Sequence, residues 1–233
     1  MNQTTERGYG ARIGNAAKLV QALESFNNYQ PQKPELSIAG ISEQIAAIRN
    51  LNNEVASKKL AYSLAVENRL QIFDKNQDSI RNILSPINAN VKVSYGKNSK
   101  QAKDVAHIIK KMRGKNIAKA NANEGNSISQ SYQSFHSKTQ FFADLVATIS
   151  TFGSDYCPVN PKLNEVSLKD LYDNAVAANN LIVESNAKFV LINEKRIDAY
   201  FNLSQNAIGV KESIKAQFGP QSVEYRIVKG LYI

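Results

Sequence analysis

Apolar residues return at intervals of three and four along most of the chain, the period that gathers them on one face of a helix. Residues 11–27 carry Ile13, Ala16, Leu19, Val20, Leu23 and Phe26 at that spacing, which predicts a first helix ending at Asn27-Asn28. The segment Tyr29-Gln30-Pro31-Gln32-Lys33-Pro34 follows, and its prolines impose extended backbone on the residues before them. After Gly40 the helical period resumes with Ile41, Ile45, Ile48, Leu51 and Val55, then runs through Leu60, Leu64, Leu70, Phe73, Ile80, Leu84, Ile87 and Val91. Unbroken, this second helix spans about fifty residues, on the order of 75 Å at the helical rise. Pro86 is predicted to bend it, because an interior proline forfeits a backbone hydrogen bond. Gly96 is the predicted stop and Ser99 the N-cap of a short helix containing Ala102, Val105, Ile108 and Ile109, which ends at Gly114.

The same order of signals comes again 127 positions later. Tyr29/Tyr156, Pro31/Pro158, Pro34/Pro161, Leu36/Leu163, Asn52/Asn179, Asn53/Asn180, Leu64/Leu191, Glu67/Glu194 and Arg69/Arg196 are identical pairs, and Ile41/Leu168, Phe73/Tyr200 and Ile87/Ile214 are conservative ones. Upstream, Leu19, Leu23 and Phe26 answer to Leu145, Ile149 and Phe152 with one residue less. Downstream, Lys92, Tyr95, Gly96, Ser99 and Val105 answer to Lys215, Phe218, Gly219, Ser222 and Val228, which gives the first copy four extra residues after Ile87. Paired prolines and glycines weigh most, since they punctuate helices and are no part of a generic apolar period.

The expected fold is therefore all-α: an elongated antiparallel helical bundle built from two tandem homologous repeats with very long helices. Residues 1–113 form the first repeat, 114–130 a small-residue, polar connecting segment expected to be flexible, and 131–233 the second repeat. The second repeat is predicted to hold a helix around 131–152, an extended Tyr156-to-Pro161 segment, a long helix from about Ser167 to Phe218 and a short one from about Ser222 to Lys229. The two repeats are expected to pack as one domain, because each long helix needs another to cover its apolar stripe. The tail Lys211, Lys215, Phe218-Gly219, Ser222, Glu224-Tyr225 resembles the ending of certain uncharacterised all-helical proteins of Bacteroidetes bacteria. That resemblance implies an all-helical fold and a bacterial source, and it brings no activity and no functional residue.

Composition narrows the class. At 233 residues and 42% hydrophobic content the chain can bury a proper core. The opening Met-Asn-Gln-Thr-Thr-Glu-Arg lacks the basic start and apolar run of a signal peptide, and no stretch approaches the ~20 apolar residues of a membrane span. A soluble, cytoplasmic protein is expected. Cys157 is alone, so neither an internal disulfide nor a cysteine-built zinc site is available. His107 and His136 lack partners at metal spacing, and no nucleophile elbow, Walker loop or dinucleotide fingerprint occurs. These absences point away from an enzyme, from cofactors and from a small-molecule substrate.

The net charge of +9 is concentrated in one place. Lys92, Lys97, Lys100, Lys103, Lys110, Lys111, Arg113, Lys115 and Lys119 face a single acid, Asp104. Such a cluster neutralises phosphates or docks an acidic protein surface, including one on another copy of the same chain. Lysine predominates, and Tyr95 is the one aromatic placed to stack on a base. Glu67, Arg69, Glu194 and Arg196 recur mid-helix; residues two apart do not face each other, so each is expected to form an ion pair with a neighbouring helix. Asn52 and Asn179 are candidates for setting helix register. The sequence thus favours a non-enzymatic structural or protein-interaction module able to assemble with itself. A nucleic-acid-associated protein using residues 92–119 is the alternative.

Overall fold

The computed structural model describes residues 8–114 and 134–233, and among them every regular element is helical. The elements are α1 (Tyr9–Ser25), α2 (Ile38–Leu70), α3 (Ile80–Tyr95), α4 (Lys100–Met112), α5 (Phe135–Ser150), α6 (Glu165–Phe218) and α7 (Val223–Val228). The expected connection at 114–130 lies outside the described residues apart from Gly114.

Short polar side chains fix where most helices begin. The Ser37 hydroxyl accepts from the Gly40 N–H at 3.0 Å and the Asn164 carboxamide from the Ser167 N–H at 2.7 Å, at the starts of α2 and α6. Ser99, Ser134 and Ser222 each accept an N–H three residues on, at 3.1 Å, at the starts of α4, α5 and α7. Each such cap satisfies one of the donors a helix start leaves unpaired. Gly96 and Gly219 end α3 and α6 in left-handed backbone, φ 89° and 95°, with N–H bonds to Lys92 and Lys215. The proline segments close as short 3₁₀ turns, Pro34–Leu36 and Pro161–Leu163, each held by a tyrosine: Tyr29 donates to the Leu36 carbonyl and Tyr156 to that of Leu163, both at 3.0 Å.

α6 runs 54 residues without interruption, but the other long helix is shorter than its apolar period predicts. α2 ends at Leu70, and Gln71–Lys75 winds wider, with the Asn76 N–H bonded to the Gln71 carbonyl at 3.1 Å. The chain then leaves the helix at Asn76 (ψ 151°) before α3 starts. Pro86 sits inside α3 without stopping it. Phe73 and Tyr200, both 1% exposed, stand 127 apart, whereas the buried Ile80, Leu84, Ile87 and Val91 match the buried Leu203, Ala207, Val210 and Ile214 at a separation of 123. The separation of these buried positions thus changes from 127 to 123 between Phe73 and Ile80, across the polar run Lys75-Asn76-Gln77-Asp78-Ser79.

Two compact units result. Unit 1 joins the chain up to Leu60 with Ala187–Ile233, and unit 2 is Ala61–Asn186. In unit 1, Ala16, Leu19 and Leu23 of α1 and Ile41, Ile45 and Ile48 of α2 pack with Leu203, Ala207, Val210 and Ile214 of α6 and Val228 of α7. In unit 2, Phe142, Leu145 and Ile149 of α5 and Leu168 and Ala175 of α6 pack with the buried faces of α3 and α4. Each fully buried aliphatic side chain contributes about 1.5–3 kcal/mol relative to exposure. Each unit combines segments that are distant in the chain.

Candidate interaction surfaces

α4 sorts its residues cleanly. Ala102, Val105, Ile109 and Met112 are buried, and Lys100, Lys103, Lys110 and Lys111 are exposed on the remaining faces, with Lys97 exposed just before the helix. Lys110 and Lys111 lie in the last turn, where the helix dipole favours cations. The Lys111 ammonium sits 5.8 Å from the centre of the Phe141 ring, and Arg113 donates to the Ser85 hydroxyl at 2.6 Å. None of Lys97, Lys100, Lys103 and Lys110 forms an ion pair among the described residues. Lys115 and Lys119 lie outside the described residues. Tyr95 is not free to stack on a base: its ring packs against Phe152 at 5.1 Å, and burial, with Asp155 adding to it, pushes its phenol pKa up.

A second surface went unnoticed in the sequence. Val190, Ile197, Phe201 and Ile208 of α6 are 41%, 47%, 61% and 51% exposed, although their spacing of seven, four and seven aligns them on one face of the helix. The opposite face, with Leu203, Ala207, Val210 and Ile214, is the one unit 1 buries. Exposed Glu194 and Asp198 edge the apolar stripe and have no ion-pair partner among the described residues. Both faces of α6 show helical apolar spacing, so nothing in the period itself says which one is covered.

Among the described residues, Glu67, Arg69, Glu194 and Arg196 form no ion pair with a neighbouring helix. Glu67 turns along its own chain, to Lys75 at 2.8 Å and to Gln71, and these hydrogen bonds hold its carboxyl below the usual carboxylate range. Arg69 instead lies over the Phe135 ring at 4.0 Å, and Arg196 over the Tyr9 ring at 4.4 Å. In each unit a second ring packs against the first: Phe73 meets Phe135 edge-on at 5.0 Å, and Tyr200 lies tilted against Tyr9 at 4.5 Å. A guanidinium over an aromatic face contributes about 0.5–2 kcal/mol, depending on its desolvation. Arg196 also donates to Asn193 at 2.5 Å, and the Nε atoms of both arginines are buried without a partner.

The asparagines do reach across. Asn52 donates to the Tyr200 hydroxyl and Asn179 to the Thr139 hydroxyl, both at 3.0 Å. Phe73 has no hydroxyl to serve Asn179 as Tyr200 serves Asn52, and Thr139 supplies one instead. Among the described residues no group of His, Cys, Asp and Glu could hold a metal ion, and no helix is long and apolar enough to cross a membrane. No family model, curated protein or solved structure matches the chain.

Proposed function

We propose that this protein is a non-enzymatic interaction module that assembles with copies of itself, laying the apolar stripe of α6 on the lysine face of α4 of another copy. The observation that carries the reading is the alignment of Val190, Ile197, Phe201 and Ile208 at seven-four-seven spacing on a face that unit 1 leaves uncovered. Helices bury such a seam against another helix. Charge selects which one. A stripe laid on its own counterpart brings Glu194 and Asp198 together with their equivalents, and like charges across an interface are repulsive. Lys100, Lys103, Lys110 and Lys111 present the opposite sign, with the partly buried Ile108 among them. A contact between two different surfaces is not self-limiting, so it builds chains or rings of subunits and not closed dimers.

Sedimentation across concentration and salt tests this. Association is expected to grow with protein concentration, weaken with salt and disappear in Phe201→Asp and in Lys110→Glu/Lys111→Glu. Each of those two variants keeps one intact surface, so mixing them should give dimers that stop at two subunits. A protein that stays monomeric at the highest concentration reached, or a Phe201→Asp variant that associates like the parent, would sink the reading. Nucleic-acid binding is less favoured by the side chains, because the Tyr95 ring is occupied by Phe152.

The chain is further proposed to be a tandem duplication in which the copies have exchanged halves. Support comes from contacts that recur in pairs: Tyr29 on Leu36 with Tyr156 on Leu163, Arg196 over Tyr9 with Arg69 over Phe135, and Phe26 facing Phe218 with Phe152 facing Tyr95. Every pair keeps the separations seen in the sequence register. Mutual covering of this kind accounts for two halves that are each left with an open core when taken alone.

A further inference from the structure

We propose that unit 2 carries a binding site for a small phosphate monoester with an apolar substituent, in the cavity where the start of α3 meets the end of α4 and the first turn of α5. The cavity measures about 520 Å³, within the range of small-molecule sites. Three cations from three elements line it, Arg81 of α3, Arg113 at the end of α4 and Lys138 of α5, against one acid, Asp74. Asp74 is held only loosely by Lys138, at 3.9 Å, and Arg81 has no partner among the described residues. Arg113 is already aimed by its bond to Ser85, which itself lines the cavity.

The excess of two positive charges matches a phosphate monoester, whose oxygens accept paired N–H bonds from arginine. The helix start adds to it. α3 begins without a side-chain cap, and the hydroxyl of Ser79, 1% exposed, is unpartnered; the Asn82 N–H already donates to the Ser79 carbonyl at 2.9 Å, so the first turn keeps the N–H groups of Ile80 and Arg81 for an anion. The apolar part of the ligand is accommodated by Phe73, Leu84 and Met112 in the same wall.

Two matching positions of unit 1 are engaged in other contacts. Ser204, which stands 123 positions after Arg81, donates at 2.7 Å to a main-chain oxygen of Ile233, so the segment following α7 packs at the corresponding helix face. Arg12, 126 positions before Lys138, is likewise occupied, donating to the Tyr200 carbonyl at 2.9 Å.

Calorimetric titration of the full chain with phenyl phosphate, inorganic phosphate and phenol tests the site, with folding of each variant checked by circular dichroism. Phenyl phosphate is expected to saturate at one per chain and to bind more tightly than inorganic phosphate, with phenol not binding. Arg81→Gln and Arg113→Gln should each weaken phenyl phosphate about tenfold, the scale of one charge-assisted hydrogen bond. Lys103→Gln removes the same charge from α4 outside the cavity and should change the affinity less than about twofold. Absence of saturable binding, equal losses in all three variants, or phenol binding as well as phenyl phosphate would overturn the proposal.

Discussion

A methyl group added at two glycines should move stability in opposite directions. Gly40 lies in the first turn of α2, where a Cβ would meet the Pro34 carbonyl oxygen at 2.5 Å and the Glu35 Cα at 2.9 Å. Both are main-chain atoms of a 3₁₀ turn that the Tyr29 hydroxyl and the Ser37 cap hold in place, so no side-chain rotation relieves the clash. Moving α2 off the turn costs about 1–3 kcal/mol, as overpacking does, and the helical preference of alanine over glycine returns at most about 1. A main-chain clash at 2.5 Å lies in the upper part of that range, about 2–3 kcal/mol, so the net expected loss for Gly40→Ala is about 1–2 kcal/mol. At Gly209, inside α6, the added Cβ meets only the ends of the Leu36 side chain, at 3.1 and 3.4 Å. Leu36 can give by a few tenths of an ångström, and the alanine preference then dominates, for a change between neutral and a gain of about 0.5 kcal/mol. Urea unfolding followed by circular dichroism, with the slope compared between variants, reads both values. A Gly40→Ala protein as stable as the parent, or a Gly209→Ala protein that loses as much as Gly40→Ala, would refute the reasoning, because the backbone contact would then not be the deciding factor.

Burial pushes the Tyr156 phenol up to about 12 from its ordinary 10. The unfolded chain therefore releases that proton first, so the stabilisation is complete below pH 10 and is lost as the pH rises from 10 towards 12, by up to about 2 kcal/mol; Tyr156→Phe should flatten this fall relative to the parent, and an unchanged pH profile would exclude Tyr156 as its source. The same substitution removes the bond to Leu163 and should cost about 1 kcal/mol at pH 7, more than Tyr29→Phe, whose ring is less buried. Asn179→Leu deprives Thr139 of a donor inside unit 2 and should lower stability by about 1–2 kcal/mol in chemical denaturation, and a stabilised variant would show that the polar contact is dispensable. Arg69→Gln and Arg196→Gln each lose a cation over a ring and should cost about 0.5–2 kcal/mol with little dependence on salt; a loss that vanishes at high salt would instead indicate ion pairing.

The apolar period and its punctuating residues were enough to specify an all-helical chain, the uninterrupted α6, the proline-bearing segments between helices, and the boundaries at Ser99, Ser222, Gly96 and Gly219, because each depends on residues a few positions apart; that the proline segments close as 3₁₀ turns was not foreseen. Break position was not legible: the apolar series of the first long helix runs through Phe73 and Ile80 at acceptable helical spacing, and only the backbone of the folded chain, which leaves the helix at Asn76, shows the interruption. The partners of Arg69 and Arg196 were hidden for a similar reason, since the rings they cover, Phe135 and Tyr9, begin other helices far away in the chain. Most of the basic segment was visible as composition, but the cavity was not, because Arg81, Arg113 and Lys138 are far apart in the sequence until three helices bring them to one wall. Local chemistry decided what each segment is. Which of the two apolar faces of α6 is covered, and which cations converge, depended on how segments distant in the chain pack, and sequence spacing carries no information on that.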